Sequence, residues 1–458
     1  MASISKFLLA LLFSYHTLIA HAADDRRHKV LSVGSLMKSS TACSEPKVTP
    51  PSTGVTVPLH HRYDPCSPVP SKKVPTLEER LRRDQLRAAY IKRKFSGAGD
   101  IEQSDAATVP TTLGTSLSTL EYVITVGIGS PAVTQTMSMD TGSDVSWVQC
   151  KPCSQCHSEV DSLFDPSSSS TYSPFSCSSA PCAQLSQSQE GNGCMSSQCQ
   201  YIVNYGDSSS TTGTYSSDTL TLGSSAMTDF QFGCSQSESG GFNDQTDGLM
   251  GLGGGAQSLA SQTAGTFGTA FSYCLPPTSG SSGFLTLGTG SSGFVKTPML
   301  RSTQIPTYYV VLLESIKVGS QQLNLPTSVF SAGSLMDSGT IITRLPPTAY
   351  SALSSAFKAG MQQYPPATPS GILDTCFDFS GQSSISIPTV TLVFSGGAAV
   401  DLAFDGIMLE ISSSIRCLAF TPNGDDSSLG IIGNVQQRTF EVLYDVGGGA
   451  VGFKAGAC

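Results

Sequence analysis

The sequence predicts an all-β protein built of two related lobes. Beyond Pro110 the chain turns to Gly, Ser, Thr and Val in short alternating runs between turn residues, the period-two pattern of half-buried strands. An ordered series of strand, Asp-Ser/Thr-Gly turn and apolar pair with Gly occurs twice, which marks an internal duplication. At 458 residues the chain is long enough for two lobes that each bury a core.

Taken from the N-terminus, residues 1–22 carry Lys6, an apolar run over 7–20 and small residues at Ala20 and Ala22, the layout of a cleavable signal peptide. That run is too short to cross a bilayer, and no later segment reaches the roughly 20 apolar residues of a spanning helix. A soluble protein of the secretory pathway is therefore expected, with no membrane partner. Residues 23–110 hold 15 basic and 10 acidic side chains and little apolar periodicity. Within this leader, Thr76-Leu-Glu-Glu79 has capping-box spacing, and the helix formers that follow predict a helix through Phe95.

After residue 110, strands are expected at 122–128, 219–222, 284–287, 308–313 and 389–394, with one helix over 348–363. The first series runs Tyr122-Val-Ile-Thr-Val-Gly, Met139-Asp140-Thr141-Gly142-Ser143, Gly248-Leu249-Met250-Gly251. The second runs Tyr309-Val-Val-Leu-Leu, Met336-Asp337-Ser338-Gly339-Thr340, Gly430-Ile431-Ile432-Gly433. Lobes of 111–300 and 301–458 follow.

Composition narrows the chemistry. Nine basic and 24 acidic residues remain after residue 110, a balance that argues against nucleic acid or an anionic membrane as partner. His157 is the only histidine there, so a histidine base or a histidine metal cluster is nearly excluded. No metal or organic cofactor is implied. Fourteen cysteines point to an oxidising compartment; two precede Pro110 and twelve follow it, with seven between Cys150 and Cys199. Cys153-Ser-Gln-Cys156-His157 also matches a haem-attachment pattern, but haem would leave the duplicated turns without a use.

One Asp-Ser/Thr-Gly is an ordinary turn; two in matched contexts are a catalytic candidate. Glycine lets backbone pass close to the carboxylate, and the neighbouring hydroxyls can hold it by hydrogen bonds. Two such carboxylates in contact do not both ionise readily, so the pair holds one proton in acid. One then serves as base toward a water and the other as acid toward a carbonyl.

These motifs make the chain resemble the pepsin-type aspartic proteases, in particular the plant nepenthesin-like branch, from about Leu120 to Cys458. The resemblance implies a pepsin-like bilobal fold with a cleft between the lobes, and hydrolysis of internal peptide bonds at acid pH by Asp140 and Asp337. It implies that Thr141 and Ser338 brace the lobes, and that Ser143 and Thr340 bond the outer carboxylate oxygens beside Gly142 and Gly339. It places a mobile flap at residues 200–207, with Tyr205 as the flap tyrosine next to Gly206 and Asp207, and Trp147 as its support. By the same likeness Cys150 pairs with Cys153, Cys156 with Cys234, Cys177 with Cys199, Cys182 with Cys194, Cys274 with Cys458 and Cys376 with Cys417. The expected product is a monomeric zymogen bound for the cell exterior or a vacuole. Its partners are polypeptide substrates and its own basic leader, which acts as an intramolecular inhibitor. A catalytically silent binding or inhibitor protein of the same fold is the alternative.

Overall fold

The computed structural model describes residues 27–32, 43, 54–69, 74–95 and 120–456, the last stretch without 206–208, 241–244, 278–281, 291, 303–304 and 439. The signal peptide, Gly206, Asp207 and Cys458 lie outside them.

Residues 23–110 contribute two strands and a helix, the strand His28–Ser32 pairing antiparallel with Ser384–Pro388. Strand β1 (Val55–His61) buries Val55, Val57 and Leu59 on alternate positions. It pairs antiparallel with β2 (Tyr122–Ile128) on one side and with the strand Gly283–Leu287 on the other, so leader backbone sits inside the main sheet. Helix α1 (Leu77–Phe95) starts at the capping box expected of it: Thr76 N–H donates to Glu79 Oε2 at 2.8 Å, and Glu79 N–H donates to Thr76 Oγ1 at 3.2 Å. Lys92, Arg93 and Lys94 in its last turn complement the helix dipole. Its buried face reads Leu81, Asp84, Ala88, Ile91, a spacing of three and four, with Arg83 also buried. Leu81 packs with Ile341, Ile342 and Val435, whereas Ala88 and Ile91 pack with Tyr308, Leu335 and Ile431.

The duplicated series becomes a duplicated geometry. Strand β3 (Val133–Asp140) pairs with β2, and β4 (Trp147–Gln149) follows it. The apolar pair with glycines is β5 (Gly248–Gly251), parallel to β3 with Gly251 opposite Asp140 and antiparallel to β4. In the second lobe β6 (Ser334–Met336) leads into Asp337, and β7 (Thr343–Leu345) follows the turn. Strand β8 (Gly430–Ile432) runs parallel to β6 with Ile432 opposite Met336, and antiparallel to β7. The strands Phe440–Asp445 and Ala450–Ala455 return to the main sheet beside Ala270–Cys274.

Some elements differ from expectation. The run 308–313 is broken into Val310–Val311 and Leu313–Val318, which belong to different sheets. The strand expected at 219–222 is the end of a longer one, Ser210–Leu222. Helix Pro347–Ala359 stops four residues before 363, because Gly360 takes over the terminal backbone bonds.

Disulfide pairing in the insertion is corrected. Strand β4 runs parallel to Ser225–Ser239, which places Cys150 beside Cys234, and these two are bonded with Cα atoms 5.4 Å apart. Cys153 is therefore left for Cys156. Cys182, on the helix Ala180–Gln187, is buried against Cys199 and bonds it, so Cys177 bonds Cys194. Cys376–Cys417 forms as expected, joining adjacent antiparallel strands, and the leader's Cys43 bonds Cys66. Cys274 is disulfide-bonded. The Cys153–Cys156 bond also disposes of the haem reading, and His157 instead bridges Glu238 Oε2 at 2.7 Å and Thr246 O at 2.8 Å.

Candidate active site

Asp140 and Asp337 stand at the ends of equivalent strands, both buried. Each turn holds its carboxylate in the same way. Gly142 N–H donates to Asp140 Oδ1 at 2.9 Å and Gly339 N–H to Asp337 Oδ1 at 3.0 Å. Ser143 Oγ donates to Asp140 Oδ2 at 2.9 Å, and Thr340 Oγ1 to Asp337 Oδ2 at 2.6 Å. Between the lobes, Ser338 N–H donates to Thr141 Oγ1 at 2.9 Å and Thr141 N–H to Ser338 Oγ at 3.2 Å. Serine in place of threonine at 338 thus keeps the hydroxyl that the brace uses. The glycines are required by contact: a Cβ on Gly339 would lie 2.6 Å from Asp140 Oδ1, and one on Gly142 would lie 3.0 Å from Asp337 Oδ1. A Cβ would also crowd the guanidinium of Arg87 on α1, 2.5 Å away at Gly142 and closer still at Gly339.

Within the first lobe, Trp147 Nε1–H donates to the Tyr205 hydroxyl at 2.6 Å. Tyr205 follows the strand Gln198–Asn204, in the connection to Ser210–Leu222, and its N–H donates to Ser209 O at 2.9 Å. Tyr201, four residues earlier, is instead a core residue with its hydroxyl on Thr211 at 2.8 Å. The two tyrosines thus have different partners, Trp147 for one and Thr211 for the other.

Sequence reasoning missed the side chain that joins the pair. Arg87 of α1 reaches between the carboxylates: Nε–H donates to Asp337 Oδ2 at 2.9 Å, while one terminal nitrogen donates to Asp140 Oδ1 at 2.7 Å and Asp337 Oδ1 at 2.8 Å. The other terminal nitrogen lies 3.3 Å from Asp140 Oδ2. Burial would lower this guanidinium, but the two carboxylates hold it well above its ordinary value. Arg87 was visible only as one of seven basic residues in or beside the helix. Its distinguishing mark is its place beside the buried face that carries Asp84 and Ala88.

A second ionic cluster ties the leader to the first lobe. Buried Glu121 bonds Arg80 of α1 and lies 3.3 Å from Arg438 and 3.5 Å from His61 of β1. Burial drives the His61 imidazole down to about 4, with Glu121 opposing and Arg438 and Arg80 adding to the shift. Burial alone would raise the Glu121 carboxyl, but Arg80, His61 and Arg438 bring it below the usual carboxylate range.

Residues 122–289 match the family model described as xylanase inhibitor N-terminal, and residues 308–455 match its C-terminal counterpart. An aspartyl protease family protein of Arabidopsis thaliana is 41% identical over 93% of this chain and 92% of its own. The chain belongs to the plant pepsin-like aspartic protease family. Aspartic proteinase nepenthesin-2 of Nepenthes gracilis, another member, is 36% identical over 74% of this chain and 78% of its own. Among solved structures, basic 7S globulin from soybean superposes with a TM-score of 0.58 at 20% identity, covering 74% of this chain and 92% of that one. The structure named edgp gives 0.63 at 19%, covering 89% and 96%. At such identities the likeness to these structures concerns the fold alone.

Proposed function

We propose that this member of the family is an aspartic endopeptidase, secreted to the cell exterior or a vacuole as a zymogen whose leader blocks its own cleft. The observation that carries the reading is the pair of matched turns whose carboxylates share one guanidinium. With Arg87 withdrawn, the same positions suit a water held between two oxygens. One carboxylate takes a proton from that water as its oxygen attacks the peptide carbonyl carbon; the other, protonated, gives its proton to the carbonyl oxygen. Collapse of the tetrahedral adduct breaks the C–N bond: the amine leaves with a proton from the first carboxyl, and the second carboxylate takes back its proton from a hydroxyl of the adduct, which leaves a carboxylic acid. Tyr205 and its hairpin cover the substrate and limit water.

The family model's description as a xylanase inhibitor favours a second reading, a binding protein without activity. The complete set of turn hydroxyls and glycines and the Trp147–Tyr205 pair support the enzyme instead. The test is digestion of an unfolded protein at pH 4 by the processed chain and by its Asp140→Asn and Asp337→Asn variants. Each variant should fold and lose 100-fold or more, in line with removal of an acid or base. Activity above about 10% of wild type in either, or none in the wild type, would sink the assignment.

A further inference from the structure

Helix α1 brings a second charged side chain to the cleft. Asp84 lies three residues before Arg87, within one helical turn, and is fully buried. Its Oδ1 accepts from the Ile341 backbone N–H at 2.5 Å and its Oδ2 from the Arg344 guanidinium at 2.9 Å. Both partners belong to the second lobe: Ile341 is four residues past Asp337, and Arg344 is the central residue of β7. Arg344 is 6% exposed, its Nε is buried without a hydrogen-bond partner, and Asp84 is its only ion-pair partner among the described residues. Burial raises the Asp84 carboxyl, and Arg344 and the backbone donors offset part of that shift.

Arg87 spans the carboxylate pair, so on the protease reading this helix occupies the path of a substrate, and departure of the leader would open the seat of Asp84 to a substrate side chain. A guanidinium with an aligned N–H matches the fork of a carboxylate, and leaving both donors buried and empty is costly. Resting on the protease reading above, we propose that Arg344 and the Ile341 N–H form a carboxylate-binding subsite in the processed enzyme. It selects peptides with an Asp or Glu side chain near the scissile bond. Side chains three apart on a helix are about 5–6 Å apart, whereas a strand advances about 3.3 Å per residue, so the acidic residue falls within about three positions of the cleaved bond.

The experiment uses the full chain after leader removal and amidated fluorogenic peptides in which each position near the bond is Glu or Gln. The ratio of kcat/KM for each pair is measured at pH 5.5 and pH 3, so that incomplete activation cancels. At one position Glu should be preferred about tenfold at pH 5.5, as expected of a charged hydrogen bond. The preference should fade at pH 3 as the substrate carboxyl, ordinarily near 4.3, takes its proton. Arg344→Leu should abolish the ratio and Arg344→Lys should keep part of it. If Arg344→Leu does not fold, the wild-type pH series decides. No Glu preference at any position, or one that survives in Arg344→Leu or persists unchanged at pH 3, overturns the subsite while leaving the protease intact. Cleavage of no peptide overturns the protease reading and the subsite with it.

Discussion

Arg87 holds carboxylates from both lobes, and its removal leaves that pair buried with no counter-charge under the helix. Arg87→Gln should therefore weaken docking of α1 at neutral pH. The full chain is expected to convert at a pH about one unit higher than wild type, followed by N-terminal sequencing of the product. His61 governs the acid side. Docked, its imidazole is driven down to about 4; released, it returns toward 6.5. The docked state thus binds that proton less readily, so docking is strongest above about pH 6.5 and weakens as pH falls to 4, by about 3 kcal/mol in all. Glu121, depressed by Arg80, works in the same direction, since acid returns its proton more readily once the leader has gone. His61→Gln should lower the conversion midpoint, and a midpoint equal to wild type would remove His61 from the mechanism. Tyr205→Ala should cut turnover with the fold intact. Tyr201→Ala should instead lower thermal stability, because a buried aromatic is lost from the core at a cost of about 3–5 kcal/mol.

Among the elements, β1 bears on how the main sheet is completed. It fills a gap between two strands, and without it both would present open edges and the cavity left by Val55, Val57 and Leu59. Expression of residues 120–458 alone should give aggregated protein, and refolding with residues 23–119 supplied in trans should raise the soluble yield several-fold. Equal yields would mean that the sheet closes unaided. The strand was not legible beforehand, because Val55-Thr-Val-Pro-Leu alternates over few residues and its central Pro58 argues against a ladder position. The helix was legible, since capping is local. So was the position of Asp140 and Asp337 as a matched pair, because each lies in a short recognisable turn. Cysteine pairing was not, since it depends on β4 lying parallel to a strand some 80 residues later, Cys234 being 84 residues after Cys150. Arg87 and Asp84 escaped notice for the same reason: their partners lie 53 to 260 residues further along, in both lobes for Arg87 and in the second for Asp84.

At the scale of the whole molecule, three raised carboxyls away from the His61–Glu121 cluster favour acid. Burial pushes the carboxyls of Glu159 to about 7, Glu190 to about 8 and Asp247 to about 8, with Asp161 adding to the last. Raised carboxyls bind protons more readily folded than unfolded, so their contribution is fully present below about pH 4 and lost as pH rises through 7 to 8. Processed protein should melt several degrees higher at pH 4 than at pH 8, and Asp247→Asn should narrow that gap. The opposite order of melting temperatures would contradict the burial seen here. The basic leader and acidic remainder also attract one another over a distance, and salt at intermediate pH should hasten conversion where exposed pairs such as Lys92–Asp425 contribute.

The position of Arg87 also sets an order in time. A chain grows from its N-terminus, and Arg87 leaves the ribosome 53 residues ahead of Asp140 and 250 ahead of Asp337. At about 5–20 residues per second, this guanidinium exists for roughly 10–50 s before the second carboxylate is made. The last sheet strands, Phe440–Asp445 and Ala450–Ala455, come later still. On the zymogen reading, the carboxylate pair is thus assembled around a cation already present, and a nascent chain would display no empty cleft to its neighbours. Moving the leader to the C-terminus would keep every contact available yet reverse that sequence of events, leaving newly made molecules to digest one another before the cation arrives.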